Sequence, residues 1–206
     1  LYNGEAYKQN SGVSMSGDSV KISVSGGSTG SIYAGGYAYA DSAAGFAADA
    51  KVSGVSVTLS GASVAGDVYG GVYAEDGASG TVGGVSLSVS GGSISGDIYA
   101  GGRGAGSVVD GDAEVVFSGS SNFAGTVYGG GADGASVNGL SKVVFGADGA
   151  AYRGVFMGAV SGADAVEISD GSSVFFANPF EVDMLSVDSS STVYPVSYTH
   201  LTLPTT

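Results

Sequence analysis

The chain has 206 residues, of which 39 are Gly and three are Pro, with no Cys or Trp and a net charge of −13. Glycine at nearly three times its ordinary ~7 %, without a Gly-X-Y period, excludes a collagen triple helix. With 43 % apolar residues and 12 % charged, against an ordinary ~25 %, the chain is not a solvated disordered tail. The acidic balance repels phosphate backbones and anionic headgroups, so no nucleic-acid partner is expected. No run of ~18 apolar residues is present, so no membrane insertion by a helix of this segment is expected. The lack of Cys suits a reducing compartment or an exported protein that avoids misoxidation, and does not choose between them.

In chain order, one short motif recurs: Ile32-Tyr33-Ala34-Gly35-Gly36, Val68-Tyr69-Gly70-Gly71, Ile98-Tyr99-Ala100-Gly101-Gly102 and Val127-Tyr128-Gly129-Gly130. Val155-Phe156-Met157-Gly158 reads as a degraded fifth copy and Leu1-Tyr2-Asn3-Gly4 as a truncated first one. The aromatic residues Tyr33, Tyr69, Tyr99, Tyr128 and Phe156 thus recur at a nearly even interval, widest between the first two. Ahead of each copy lies an alternating segment whose last apolar residue is Val24, Leu59, Val89, Phe117 or Phe145. Its offset from the aromatic residue is nearly constant and lengthens slightly toward the C-terminal copies. In these segments Val20, Ile22 and Val24 share a face. Val55, Val57 and Leu59 do so in the next copy, and Val85, Leu87 and Val89, then Ala113, Val115 and Phe117, follow. Val143 with Phe145 and Val166 with Ile168 extend the series. Period 2 in β-branched types predicts half-buried strands.

Within the motif, Ile98 and Ala100 share a face and Tyr99 points the other way. The same parity places Ile32, Val68, Val127 and Val155 inward. A third, loopier segment closes each repeat, as in Val72 to Gly84, Arg103 to Asp112 and Gly131 to Ser141, and absorbs the variation in length. Its longest version contains the Ala-rich insert at 40–49, where a short helical turn is one reading.

Short strands at a constant offset within a roughly 30-residue repeat are too small to bury a face alone and must stack. The predicted fold is all-β: over 1–194, a right-handed parallel β-helix (β-solenoid) of about six coils, one to each repeat. Glycine would serve its corner turns. An antiparallel β-sandwich is the alternative, and it predicts Asn-Gly or Asp-Gly hairpins between mirrored strands. Two inward columns are expected, Val57-Leu87-Val115-Val143 and Leu59-Val89-Phe117-Phe145. The change from aliphatic to Phe implies that the interior widens, or the turns change, toward the C-terminal coils.

The last stretch, Pro195 to Thr206, lacks Gly and holds two of the three Pro and the one His. It resembles the conceptual translation of a sequencing adapter, so 195–206 is expected to be non-native. The chain opens on Leu, so its natural start is expected upstream. Outside that tail there is neither His nor Cys for a hydrolase triad or a His/Cys metal site. Gly101-Gly102-Arg103-Gly104-Ala105-Gly106 lacks the strand and helix of a dinucleotide loop.

Asp67 and Asp97 share a repeat position, with Ser31 before and Thr126 after. Stacked carboxylates there would recruit a cation such as Ca²⁺ or act as corner residues that bond nearby backbone N–H groups. Tyr33, Tyr69, Tyr99, Tyr128 and Phe156 are expected to form a stacked aromatic ladder, either a packing device or a ligand-facing platform for sugars. Arg103, Lys142 and Arg153 are the basic residues from which a polysaccharide-lyase cleft would be built.

The combination of Ser90-Gly91-Gly92-Ser93, Gly96-Asp97-Ile98-Tyr99-Ala100-Gly101-Gly102 and an acidic Gly-rich loop resembles the passenger repeats of bacterial autotransporters and adhesin-like surface proteins. The resemblance covers residues 1 to about 194. It implies a secreted, surface-displayed β-helix, an extracellular or outer-membrane location, and host-cell surface glycans or proteins as partners. It supplies no catalytic residue, cofactor or metal. The function it implies is structural or adhesive, with a polysaccharide-processing enzyme or a carbohydrate-binding module as alternatives.

Overall fold

The structure is a computed structural model that describes residues 5–6, 13–40, 48–178, 180 and 182–195. Its strands pair almost entirely in parallel, each with the equivalent segment one repeat away, as in a β-solenoid. This pairing excludes the antiparallel sandwich. Asp-Gly turns do occur, at Asp76, Asp133, Asp148 and Asp170, each with positive φ followed by a positive-φ Gly. One of them closes an antiparallel bridge, between Ala147 and Ala150.

The alternating segments form the longest sheet. Val20–Val24, Val55–Val64, Val85–Ile94, Ala113–Phe117, Ser141–Phe145, Ala165–Ile168 and Met184–Val187 stack in that order. Val57, Leu87, Val115 and Val143 are in register, as are Leu59, Val89, Phe117 and Phe145. All eight are at most 2 % exposed. The expected columns are therefore the core, and Val166 and Ile168 continue them.

The aromatic motifs form a second sheet: Ile32–Tyr33, Val68–Tyr69, Ile98–Tyr99, Thr126–Tyr128 and Ala159–Ser161. Ile32, Val68, Ile98 and Val127 face inward. The paired glycines are set by close approach between rungs as much as by dihedral angle. A side chain at Gly101 would lie 2.5 Å from the Gly131 amide nitrogen, and Gly102 adopts φ +83°.

The third segment is more regular than its composition suggests. Val13–Gly17, Ala48–Val52, Ser79–Val82, Ser107–Val109 and Ser136–Val137 form a third parallel sheet. Small residues hide these strands: Gly80 and Ser107 point inward where an aliphatic residue would signal a strand, and a side chain at Gly80 would lie 2.6 Å from Val72. The Ala-rich insert falls largely on residues 41–47, and the N-terminal motif on 1–4, both outside the described residues. Ala48 and Asp49 open a strand. Of the C-terminal stretch only Pro195 is described, at the end of strand Thr192–Pro195; 196–206 lie outside the described residues.

Toward the C-terminal rungs the interior fills with rings. Phe117, Phe123, Phe145, Tyr152, Phe156 and Phe176 are all buried and contact one another at centroid distances of 5.0–6.3 Å. The turn changes with them. Val55–Val64 and Val85–Ile94 run on unbroken past Leu59 and Val89, whereas later strands stop at Phe117 and Phe145.

Candidate functional site: the tyrosine ladder and its carboxylates

Side chains alternate across a strand, so the inward aliphatic of each motif forces its tyrosine outward. Stacking the motifs then stacks the rings. Tyr33–Tyr69, Tyr69–Tyr99 and Tyr99–Tyr128 have centroids 4.8, 4.8 and 4.9 Å apart and planes within 5° of parallel. This is the strand spacing of ~4.8 Å itself. The ladder ends at Tyr128, whose register partner is Ser161.

Phe156 is not its fifth member. It pairs with Phe123 and lies 3 % exposed inside the aromatic core, while Val155 is turned out at 56 %. The parity expected for that copy is thus inverted. The cause is an insertion. The connection from Phe145 to Phe156 is longer than that from Phe117 to Phe123, and the extra length contains the Ala147–Ala150 turn. The interval from Tyr128 to Phe156 resembles those between the tyrosines, yet it lands on the wrong column.

Asp67 and Asp97 each hold their own tyrosine and the next rung. The Tyr69 hydroxyl donates to Asp67 Oδ2 at 3.0 Å, and the Tyr99 hydroxyl to Asp97 Oδ2 at 3.2 Å. The remaining oxygens accept along the stack. The Asp67 amide donates to Ser31 Oγ at 3.1 Å, the Asp97 amide to Asp67 Oδ1 at 2.9 Å, and the Thr126 amide to Asp97 Oδ1 at 2.7 Å. Of the two readings of these carboxylates, the geometry is that of corner residues bonding backbone N–H groups. Among the described residues no three His, Cys, Asp or Glu side chains gather as a metal cluster.

Just past the ladder lies a second line that sequence reasoning missed. Tyr37, Tyr73 and Arg103 follow Tyr33, Tyr69 and Tyr99 at the same offset, and backbone pairing brings them into register. That constant offset is the available signal, masked because the third member is Arg. Tyr73 stacks on Tyr69 at 5.0 Å, and the hydroxyls of Tyr37 and Tyr73 both donate to Glu75. Arg103 lies over the rings of Tyr73 and Tyr99, 5.3 and 5.6 Å from their centroids, and bonds Asp133 at 2.6 Å.

This packing sets the ionisation of the cluster. Burial, then the neighbouring charge of Asp67 or Asp97, pushes the phenols of Tyr69 and Tyr99 well above the usual tyrosine range. Burial and the bond to Glu75 raise Tyr73 to about 12. The phenols of Tyr37 and Tyr73 hold Glu75 below the usual carboxylate range. The raised phenols of Tyr69, Tyr73 and Tyr99 stay protonated donors at neutral pH and the lowered Glu75 stays a charged acceptor, which is the arrangement their bonds require.

Between its inner rungs the ladder leaves no open platform. A sugar stacks on a ring face, and between neighbours in the ladder the faces are occupied by the next ring. Tyr69 is 2 % exposed and Tyr99 6 %. Nor do the basic residues converge. Arg103 is tied to Asp133 and the tyrosines, whereas Lys142 sits on the outer face of the long sheet between Glu114 and Glu167, 3.0 and 3.2 Å away. Arg153 is exposed and, among the described residues, shares no ion-pair partner with either. Gly101 to Gly106 joins two strands, with no helix after it.

No family model matches the chain, and neither a curated protein nor a solved structure was found similar to it.

Proposed function

We propose that this chain is a structural or adhesive repeat segment of a secreted or surface-displayed bacterial protein, of the autotransporter-passenger or adhesin-like kind. In this reading its strands wind as a right-handed parallel β-helix of about six coils, one to each repeat. The location is extracellular or cell-surface, and the partners are host-surface glycans or proteins. The carrying observation is where the polar chemistry of the repeat points. The phenols of Tyr37, Tyr69, Tyr73 and Tyr99 and the carboxylates of Asp67, Asp97 and Glu75 bond within or between rungs, so these side chains serve the stack. In this reading the segment acts by its length and by its display at the surface.

The test uses beads coated with the purified chain. Retention on cultured epithelial cells above beads coated with an unrelated acidic protein is the expected result. Equal retention, together with turnover of an anionic or neutral polysaccharide that Arg103→Ala or Arg153→Ala abolishes, would overturn the reading in favour of a glycan-processing enzyme.

A further inference from the structure

One outward column of the stack begins polar. Ser28, Ser63, Ser93 and Asn122 lie in register on successive rungs. Phe123 bridges Phe156, and Asn122 Oδ1 accepts the Val155 amide at 2.9 Å, so Val155 comes next. The Tyr152 amide donates to Ser172 Oγ at 2.8 Å and the Phe156 ring contacts Phe176 at 5.6 Å, which lays Ser173–Phe176 on the following rung. There Phe175 faces outward, in register with Tyr194 of Thr192–Pro195. The column thus turns apolar at Val155, Phe175 and Tyr194, and with Met157 these side chains are 53–62 % exposed.

On the same face, two residues back along each strand and so about 6.6 Å away, runs a polar column of Arg153, Ser173 and Thr192. The stack does not use these groups. Among the described residues neither Phe175 nor Tyr194 contacts another ring, and the Tyr194 hydroxyl, the Ser173 and Thr192 hydroxyls and the Arg153 guanidinium have no hydrogen-bond or ion-pair partner. Neither column holds an Asp or Glu on these rungs, in a chain whose net charge is −13. Two half-exposed rings of ~150–250 Å² each present roughly 200 Å². Even with Val155 and Met157 the patch stays well below the ~800 Å² per partner of a stable protein interface. A narrow ligand suits that size better than a second copy of the chain.

We propose that this face docks a carboxylate-bearing glycan. The C–H faces of its sugars lie on Phe175 and Tyr194, their hydroxyls meet Ser173 and Thr192, and a carboxylate meets Arg153. A sugar chain is apolar on its ring faces and polar along its edges, and the two columns offer those surfaces side by side. The guanidinium supplies the complementary charge within a patch free of carboxylates. The proposal rests on the adhesive reading above, of whose two partner classes it selects the glycan.

The experiment is calorimetric titration of the intact chain with a hexasaccharide of alternating glucuronate and N-acetylglucosamine, and with its uncharged methyl-esterified form. The charged form is expected to bind, and the neutral form to bind about fivefold more weakly, the upper end for one exposed charge pair. Phe175→Ala and Tyr194→Ala are each expected to weaken binding about tenfold, whereas Tyr194→Phe keeps it. Arg153→Gln is expected to make the two forms bind alike. Tyr39→Ala with Lys51→Gln removes a ring and a cation at other exposed positions and is expected to leave affinity within about twofold. Circular dichroism checks that each variant is folded. Equal binding of both forms by the unsubstituted chain, or equal weakening by the control pair, would overturn the proposal. So would an oligoglutamate peptide that binds as tightly with the same dependence on Phe175 and Arg153, because the occupant would then be a polypeptide. Binding of neither sugar overturns it too, and the cell-retention assay keeps the two ideas apart: beads still retained on cells leave the adhesive reading standing without this site.

Discussion

Asp97 illustrates how a single residue joins two rungs. One carboxylate oxygen takes the Tyr99 hydroxyl and the other the Thr126 amide of the next strand. Asp97→Ala strands both donors in a half-buried setting, and a shielded unpaired donor costs about 1–3 kcal/mol. The midpoint of urea unfolding is expected to fall accordingly, with Asp97→Asn recovering part of the loss. Tyr152 is the opposite case. Its ring is 1 % exposed against Phe117 and Phe145, and its hydroxyl has no hydrogen-bond partner among the described residues. Tyr152→Phe removes a buried, unsatisfied polar group and is expected to raise stability by up to about 1–3 kcal/mol in the same assay. The line beside the ladder also fixes a pH dependence. Tyr73 has its folded pKa raised from 10.0 to about 12, so the folded state favours the protonated phenol. That contribution is complete below pH 10.0 and is lost as the pH rises toward about 12. Unfolding midpoints measured from mildly alkaline pH up to about 12 are expected to decline in that window, and Tyr73→Phe is expected to flatten the decline.

Along an element, what the sequence makes legible depends on what faces inward. The long sheet is readable because its inward positions hold Val, Leu and Phe in strict alternation, and a register slip of one residue would expose all of them. Leu87 and Ser86 occupy the two faces of one strand, at 1 % exposure and exposed respectively. Leu87→Ala is expected to cost about 2–5 kcal/mol through the cavity it leaves, whereas Ser86→Ala is expected to be near neutral. Guanidinium unfolding of the two variants measures the contrast, and equal effects would refute the inward placement of Leu87. The third sheet is not readable, because Gly80 and Ser107 carry no apolar signal at inward positions. Part of the site is legible too. The four tyrosines of the ladder follow from spacing alone, while Phe156 misleads because an aromatic residue near the expected offset belongs to the interior column of Phe123. Spacing is a reliable guide only while the connections between strands keep one length, and the Ala147–Ala150 turn breaks that condition.

For the whole molecule, the two aromatic systems divide the stack. The outward ladder runs from Tyr33 to Tyr128, and the inward cluster from Phe117 to Phe176, so they overlap only around the rungs of Phe117 and Tyr128. In a stack each rung contacts chiefly its neighbours, and stability is a sum of rung and interface contributions. The two halves are therefore expected to open separately. Phe156 touches Phe117, Phe123, Phe145 and Phe176, so it ties several C-terminal rungs together at one point. Phe156→Ala is expected to cost about 3–5 kcal/mol where those rungs meet. Because the loss is local, it should appear as sub-global opening rather than uniform destabilisation. Hydrogen exchange followed by mass spectrometry reads this directly. Amides of Ser141–Phe145 and Ala165–Ile168 are expected to lose protection, while those of Val55–Val64 and the Tyr69 and Tyr99 rungs keep theirs. Equal loss along the chain would mean that the ladder and the aromatic core unfold as one cooperative unit, and that the Phe117 and Tyr128 rungs transmit destabilisation in full.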